Sequence, residues 1–83
     1  MPDLWTLAFL FRGVIAAAGD TMPLDECEER ARAMPADALA VCINVQAPTC
    51  RVYVDNNSLT RASSQRCRQR ATHAFKEGEK HDQ

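Results

Sequence analysis

The stretch LWTLAFLF-RG-VIAAA, residues 4–18, is the densest apolar run in the chain and holds its only Trp. Any fold must remove this surface from water, because apolar burial is the main favourable term in folding. Large apolar residues fall on alternate positions of its first half: Trp5, Leu7, Phe9 and Phe11. Alternation of this kind is typical of a β-strand. Arg12 and Gly13 supply turn chemistry, since glycine accepts a positive φ. The stretch therefore predicts a β-hairpin.

A membrane span and a secretory signal peptide are two other interpretations of this stretch. A membrane span needs about 20 apolar residues, and Arg12 interrupts this run after eight residues (4–11). A secretory signal peptide is the more serious alternative, because the small residues 16–18 resemble a cleavage site. Against a signal peptide, Asp3 precedes the run without any Lys or Arg, and Arg12 lies inside it. We therefore predict that the segment is retained as sheet, with a cleaved N-terminus as the alternative.

Length and composition set further bounds. Eighty-three residues predict a single domain with a small core, placed over residues 1–76 with a frayed polar tail at 77–83. The net charge of −1 excludes a polybasic nucleic-acid binder, and the 46 % hydrophobic content excludes general disorder. Four cysteines in so short a chain are compatible with two disulfides in an oxidising compartment, or with free thiols elsewhere.

The segment after the hairpin predicts an amphipathic helix over Leu24–Met34. One face carries the apolar residues Leu24, Cys27, Ala31 and Met34. Asp20 and Thr21 are residue types that cap helix N-termini, Pro23 suits a first turn, and Pro35 ends the helix.

The second half of the chain predicts two strands and a second helix. Leu39–Val45 alternates with Leu39, Val41, Ile43 and Val45 on one face and Ala40, Cys42 and Asn44 on the other. Cys50–Val54 is predicted as the paired strand, with Cys50, Val52 and Val54 on one face. A loop at 55–58 then leads into a helix over Leu59–Phe75. The predicted order is β-β-α-β-β-α, an α+β fold with one amphipathic helix packed on the sheet and a basic C-terminal helix.

The cysteines fall one on each predicted helix and one on each strand of the second pair. The simplest pairing is therefore Cys27 with Cys42 and Cys50 with Cys67, although the two other pairings stay open. Each such bridge would tie a helix to the sheet and contribute about 3 kcal/mol by constraining the unfolded chain.

That pairing has a consequence for the opposite side of the sheet. If Cys42 faces the first helix, Leu39, Val41, Ile43 and Val45 point the other way, where the second helix is too polar to cover them well. A bare apolar face usually marks an interface. We therefore predict a homodimer, or docking of a partner, through this face.

The residue types and spacings indicate neither catalysis nor a cofactor. Structural zinc sites bring two ligands together on a C-x(2–4)-C or H-x(3–5)-H turn, and this sequence has none. The two histidines, His73 and His81, lie in the polar C-terminal region without a recognisable nucleophile and orienting carboxylate. The glycines are scattered, so no phosphate-binding loop is present. We predict a non-enzymatic protein with no metal and no cofactor.

The second helix carries the most suggestive surface. Its predicted partner-binding residues are Arg61, Arg66, Arg68, Arg70 and Lys76. Arginine is favoured in protein interfaces and also contacts phosphate, but the segment lacks interleaved aromatics and a major-groove motif. An acidic protein partner, a nucleic acid and an ordinary solvated face all stay open.

The N-terminal half resembles small accessory proteins encoded by phages and prophages. These often show a W-x-L hairpin, a helix opening with x-C-E-x-A and a strand closing with A-x-C. The matching positions are Trp5, Leu7, Cys27, Glu28, Ala31, Ala40 and Cys42. The resemblance implies a binding protein of phage type that acts in the host cytoplasm. Anti-CRISPR inhibitors are one example of such proteins. The implied partner is a host macromolecular complex, which can be one that holds nucleic acid.

Two other functions follow from the alternatives above. A secreted or periplasmic disulfide-stabilised structural domain would follow from cleavage of the N-terminus. A nucleic-acid contact module would follow if the basic helix binds phosphate.

Overall fold

The computed structural model describes residues 4–47 and 49–81, the last five of them by backbone alone. The elements in chain order are β1 (Trp5–Phe11), β2 (Val14–Ala17), α1 (Leu24–Arg32), β3 (Leu39–Asn44), β4 (Cys50–Asp55), β5 (Ser58–Arg61) and α2 (Ser64–His81). The strands form one antiparallel sheet in the order β2-β1-β3-β4-β5. The fold is α+β as predicted, with one strand more than predicted before the second helix.

The N-terminal hairpin is confirmed. Arg12 and Gly13 both take positive φ, at 51° and 81°, as a tight hairpin turn requires. Phe11 then pairs with Val14 at the closed end. The other side of β1 pairs with β3, so β1 lies inside the sheet and β2 forms its edge.

The additional strand is β5, in a region predicted as a loop and the start of a helix. Asn56 and Asn57 take φ of 57° and 64°, because asparagine tolerates the left-handed region that a two-residue hairpin turn needs. Ser58–Arg61 consequently folds back along β4. The prediction of a helix from Leu59 was therefore wrong at its start. Helix α2 continues through the backbone of His81, past the predicted end at Phe75, while residues 82–83 of the predicted tail lie outside the described residues.

Helix α1 begins at the predicted place but without the predicted cap. Its N-cap is Pro23, and no side chain caps the helix, so neither Asp20 nor Thr21 performs that role. Met22 is instead held by the sheet, since the backbone N–H of Trp5 donates to its carbonyl at 2.7 Å. This bridge ties the segment before α1 to the N-terminal strand.

The sheet has a core on each side. On the α1 face, the buried residues are Trp5, Leu7, Met22, Cys27, Ala31, Ala40, Cys42, Val52 and Val54. On the α2 face, they are Leu39, Val41, Cys50, Cys67 and Ala74, with Ile43, Tyr53, Ala71 and Phe75 packed against them. Helix α2 thus covers a face that we predicted to be bare, because its alanines and Phe75 form an apolar side despite its polar composition.

A bulge in β4 corrects a second prediction. Cys42 pairs with Val52, but the next residue, Ile43, pairs with Cys50, so Arg51 is an extra residue. A bulge of this kind shifts the alternation of side chains by one position. Cys50 therefore packs in the α2 core while Val52 packs in the α1 core, whereas a regular strand would have put both on one face.

Both disulfides join a helix to the sheet. Cys27 of α1 bonds to Cys42 of β3 with Cα atoms 6.1 Å apart, and Cys50 of β4 bonds to Cys67 of α2 with Cα atoms 5.5 Å apart. This is the pairing that we predicted as the simplest. The bulge makes the second bond geometrically accessible, because it turns Cys50 towards α2.

Candidate binding surfaces

The predicted basic cluster is divided in the structure. Arg61 lies on β5, not on the second helix, and its Nη2 is 3.0 Å from Oε2 of Glu28 on α1. The hydrogen bond and the negative charge of Glu28 raise the pKa of Arg61 above its ordinary value. Arg61 therefore belongs to a link between α1 and the sheet, on the side of the molecule away from α2.

Arg70 is also engaged within the fold. Its guanidinium forms an ion pair with the carboxylate of Asp55 at the end of β4. Both side chains are partly exposed, at 38 % and 41 %. The pair links α2 to the sheet from its flank. Arg66, one turn earlier, is exposed in the first turns of α2, where its backbone N–H donates to the Ser63 hydroxyl at 3.3 Å.

The remaining predicted cations share one solvent-facing surface. A shallow cavity of about 400 Å³ is lined by Arg68, Gln69, Thr72, His73 and Lys76, and we call these residues the α2 basic surface. Helical spacing of three and four residues brings them together. Among the side chains that the structure describes, no carboxylate lines this cavity. The α2 basic surface therefore presents positive charge to solvent on this side of the helix.

A second cavity lies beside α2 on the sheet itself. It measures about 420 Å³, and its lining residues are Val41, Ile43, Thr49, Cys50, Arg68, Ala71, Thr72 and Phe75. Of the predicted self-association face, Leu39 and Val41 are buried, Ile43 is half-buried and Val45 is 48 % exposed. Helix α2 therefore already covers Leu39 and Val41, which are not available for a homodimer contact through this face.

Exposed apolar side chains occur instead on the edge strand β2. Val14 is 61 % exposed and Ile15 is 41 % exposed. Helix α1 lies over the central strands, and α2 reaches β2 but leaves these two side chains partly exposed. This exposed edge was not predicted, although the charge-free run after Gly13 is a sequence signal for it.

The candidate metal ligands, thiols and histidines can be placed for the described part of the chain. Within it, no group of three or more His, Cys, Asp or Glu residues could hold a metal ion, and all four cysteines are in disulfides. His73 is exposed on α2. Among the described helices, none is both long and apolar enough to cross a membrane.

The charges are segregated between the two sides of the sheet. Asp25, Glu26 and Glu29 are exposed on α1, on one side. The α2 basic surface lies on the other, and the first turn of α2 contains no acidic residue. Helix α1 also carries Arg30 and Arg32, and the sequence of α2 also includes Glu77 and Glu79, so the two helices differ in net charge, acidic for α1 and basic for α2.

Comparison with known proteins adds no further constraint. No protein-family model, curated protein or solved structure matches this chain. The resemblance to phage accessory proteins therefore stays a prediction from the motifs.

Proposed function

We propose that the chain is a small, non-enzymatic binding protein of phage type that inhibits or modulates a macromolecular complex by occupying it. Its contact in this proposal is the α2 basic surface. The observation that carries the proposal is a separation of net charge: Arg68 and Lys76 share the solvent side of α2, whereas α1, on the opposite side of the sheet, holds four carboxylates and two arginines. A separation of this kind orients a protein on an anionic partner and speeds encounter.

The attachment of α2 supports a role in recognition. Its first half is bonded to β4 through Cys67, and Arg70 pairs with Asp55 one turn later. A helix held in place in this way loses little further freedom on binding, which favours affinity. Arg68 lies between these two anchor points, so its backbone position is fixed before a partner arrives.

The N-terminal segment bears on the alternative of a secreted domain with a cleaved N-terminus. Cleavage at residues 16–18 would remove β1, which lies inside the sheet, together with most or all of β2. Trp5 and Leu7, which are 4 % and 5 % exposed, would leave the core. We therefore propose a protein that keeps this segment wherever it acts.

The disulfides favour a second candidate, a disulfide-stabilised domain that acts in the periplasm or outside the cell. Two helix-to-sheet bonds persist best in an oxidising compartment. The phage resemblance implies the host cytoplasm instead. Counting free thiols in protein trapped with alkylating reagent in its native host separates the two: alkylated cysteines support the cytoplasm, and unmodified ones support the oxidising compartment.

The binding proposal is tested by capture from a lysate of the native host, followed by mass spectrometry. The double variant Arg68→Glu/Lys76→Glu reverses the α2 basic surface. Its matched control, Arg30→Glu/Arg32→Glu, makes the same change of charge at exposed positions of α1. We expect the wild type and the α1 variant to capture one common partner, and the α2 variant to lose it.

Nuclease treatment and a salt series identify the kind of partner. Binding that survives nuclease points to an acidic protein surface, whereas loss with nuclease and a steep decrease in affinity with salt point to nucleic acid. Equal capture by the α2 variant would contradict the proposed contact surface. Turnover of a substrate by the purified wild type would contradict the proposed function itself.

A further inference from the structure

We propose that β2 is a self-pairing edge, through which two copies of the chain join antiparallel into one continuous sheet. The inference is independent of the α2 basic surface and rests on the geometry and chemistry of β2. An unpaired edge offers backbone donors and acceptors to another strand, and proteins normally protect such an edge with charges, proline or a bulge. The sequence of β2, VIAA, has no charge and no proline, and its pairing with β1 is regular.

The direction of the free backbone groups follows from the pairing with β1. Ala18 donates its N–H to the Leu7 carbonyl at 2.8 Å, so this position of the ladder is a hydrogen-bonded one. Hydrogen-bonded and non-hydrogen-bonded pairs alternate in an antiparallel ladder. Ala16 is therefore hydrogen-bonded to β1, whereas Ile15 and Ala17 direct their N–H and C=O groups away from the sheet.

These outward groups select one register for a second copy. With a two-fold axis at Ala16, Ile15 of each copy lies opposite Ala17 of the other, and each such pair exchanges both its N–H and its C=O groups. A register centred on Ile15 or on Ala17 satisfies only one of the two positions fully. The Ala16 register is therefore the one that satisfies the whole exposed edge.

The side chains fit the same arrangement. Ile15, which is 41 % exposed, would cover the small Ala17 of the other copy, and Val14 would lie opposite Ala18. At the axis, two copies of Ala16 face each other, where alanine leaves room for close approach of the strands. A charged residue near this axis would meet its own like charge, which destabilises a cross-strand pair, and β2 has none.

The opposite edge of the sheet shows how a protected edge differs. Strand β5 has the sequence SLTR, and Arg61 is engaged with Glu28. Its polar and charged side chains suit solvent. The two edge strands of the sheet thus differ in polarity, since β2 is apolar and β5 is polar and charged. Of the two, β2 is the edge suited to pair with an uncharged apolar strand such as β2 of a second copy.

The small size of the contact sets the expected strength. A stable protein interface buries at least about 1,200 Å², and a four-residue strand (β2) contributes only part of that area. We therefore expect a weak dimer that depends on concentration. Sedimentation velocity should show a shift from the 9.2 kDa monomer towards twice that mass between about 10 µM and 1 mM protein, the range of weak association constants.

Two variants test the edge, and one serves as control. Ile15→Lys places like charges near the axis, and Ala17→Pro removes an outward N–H that β1 does not use. The control Ser58→Lys adds a charge at an exposed position of β5. We expect both β2 variants to stay monomeric where the wild type and the control dimerise, with unchanged circular dichroism and both disulfides intact.

Hydrogen exchange gives a second, independent measurement. The amides of Ile15 and Ala17 should become protected as the wild-type concentration rises, whereas the amide of Ala16, bonded to β1, should be protected throughout. Dimers that persist in both β2 variants would overturn the proposal. A wild type that is monomeric at 1 mM would also overturn it, and would leave the edge to an extended strand of a different protein.

Discussion

The two sides of the sheet are closed by helices of different character. On the α1 face, a helix of nine residues covers large side chains such as Trp5 and Met22. On the α2 face, a helix of eighteen residues, polar over most of its surface, covers a smaller buried set centred on Leu39 and Val41. Each face nevertheless has one disulfide between helix and sheet.

The difference teaches how a polar helix can seal an apolar sheet. Helix α2 needs only a narrow apolar side, because Cys67 fixes the helix on the sheet and Ala74 and Phe75 extend the contact. Its remaining surface is then available for charge. More apolar side chains are buried on the α1 face than on the α2 face. The helix on the α2 face also carries the candidate binding surface.

The largest expected effect concerns the boundary between the two faces in β4. Deleting Tyr53 removes a residue from the regular part of the strand, so Val52 and Val54 can no longer both face α1. A shift of one residue reverses the side-chain pattern, and we expect this variant to lose the fold. Circular dichroism and the yield of correctly paired disulfides measure the outcome.

Deleting Arg51 is the matched control with the opposite expectation. Arg51 is the extra residue of the bulge, so its removal leaves Cys50 facing α2 and Val52 facing α1 in a regular strand. The loss includes the hydrogen bond from the Ala62 N–H to the Arg51 carbonyl, which costs about 1 kcal/mol. We expect native disulfides and a folded protein. Failure of this variant to fold would contradict the interpretation of the bulge.

The next effect compares the two disulfides. The bonded cysteines are 15 and 17 residues apart, so loop closure predicts nearly equal losses of about 3 kcal/mol for Cys27→Ala/Cys42→Ala and Cys50→Ala/Cys67→Ala. Denaturation curves measure these losses under oxidising conditions. A difference between the two variants then reports on the packing of the two faces.

Hydrogen exchange sharpens this comparison. Without the Cys50–Cys67 bond, we expect the amides of α2 to lose protection from hydrogen exchange before those of the sheet. The reason is that the smaller core on the α2 face gives this helix fewer packing contacts. Without the Cys27–Cys42 bond, α1 should open together with the sheet, since Trp5 and Met22 belong to one core with it. The reverse pattern would contradict the ranking of the two faces.

The contrast between the faces also explains what the sequence could and could not predict. Alternation in residues 5–11 with Arg12-Gly13 is strong local information, and the hairpin followed from it. The bulge at Arg51 cannot be recognised from the alternation of residue types along β4. The sequence therefore could not show that Cys50 and Val52 point to opposite faces of the sheet. Strand β5 is short, and Leu59 fits a helical stripe equally well. The loop at 55–58 was predicted, but not that Asn56 and Asn57 turn the chain back into a further strand.

The candidate surfaces were predictable to a smaller extent. Arg68 and Lys76 share a helix, so their spacing alone places them together. Arg61 and Arg70 were assigned to the same surface because sequence shows neither the extra strand nor their carboxylate partners across the fold. That α2 covers Leu39 and Val41 was also not predicted, because the apolar side of this helix is narrow and most of its residues are polar.

A smaller effect is expected from trimming one valine in each core. Val54 lies in the α1 core and Val41 in the α2 core, and both are almost completely buried. Val54→Ala should cost on the order of 2 kcal/mol, because its closed surroundings leave a cavity. Val41 borders the open cavity beside α2, so Val41→Ala should cost about half as much, as the site can relax or admit solvent. Equal losses by chemical denaturation would contradict this difference.

The smallest effect concerns the ion pairs that join each helix to an outer strand or strand end. Glu28 on α1 pairs with Arg61, and Arg70 on α2 pairs with Asp55. Asp55→Asn should lower the free energy of unfolding by less than about 1 kcal/mol, as is usual for partly exposed pairs. Glu28→Gln should also have a small effect, because Gln keeps the packing of a side chain that is only 14 % exposed.

Salt distinguishes attraction between charges from packing at these two positions. In 1 M NaCl the Debye length decreases to about 3 Å, so the difference between Asp55→Asn and the wild type should shrink if charge is its origin. Both denaturation midpoints are compared at low and high salt. If Asp55→Asn lowers the stability equally in 1 M NaCl, the Asp55 carboxylate holds α2 by hydrogen bonding or shape and not by charge. The contact that joins α2 to the sheet would then differ in kind from an ion pair, and the two faces would differ in these contacts as well as in their cores.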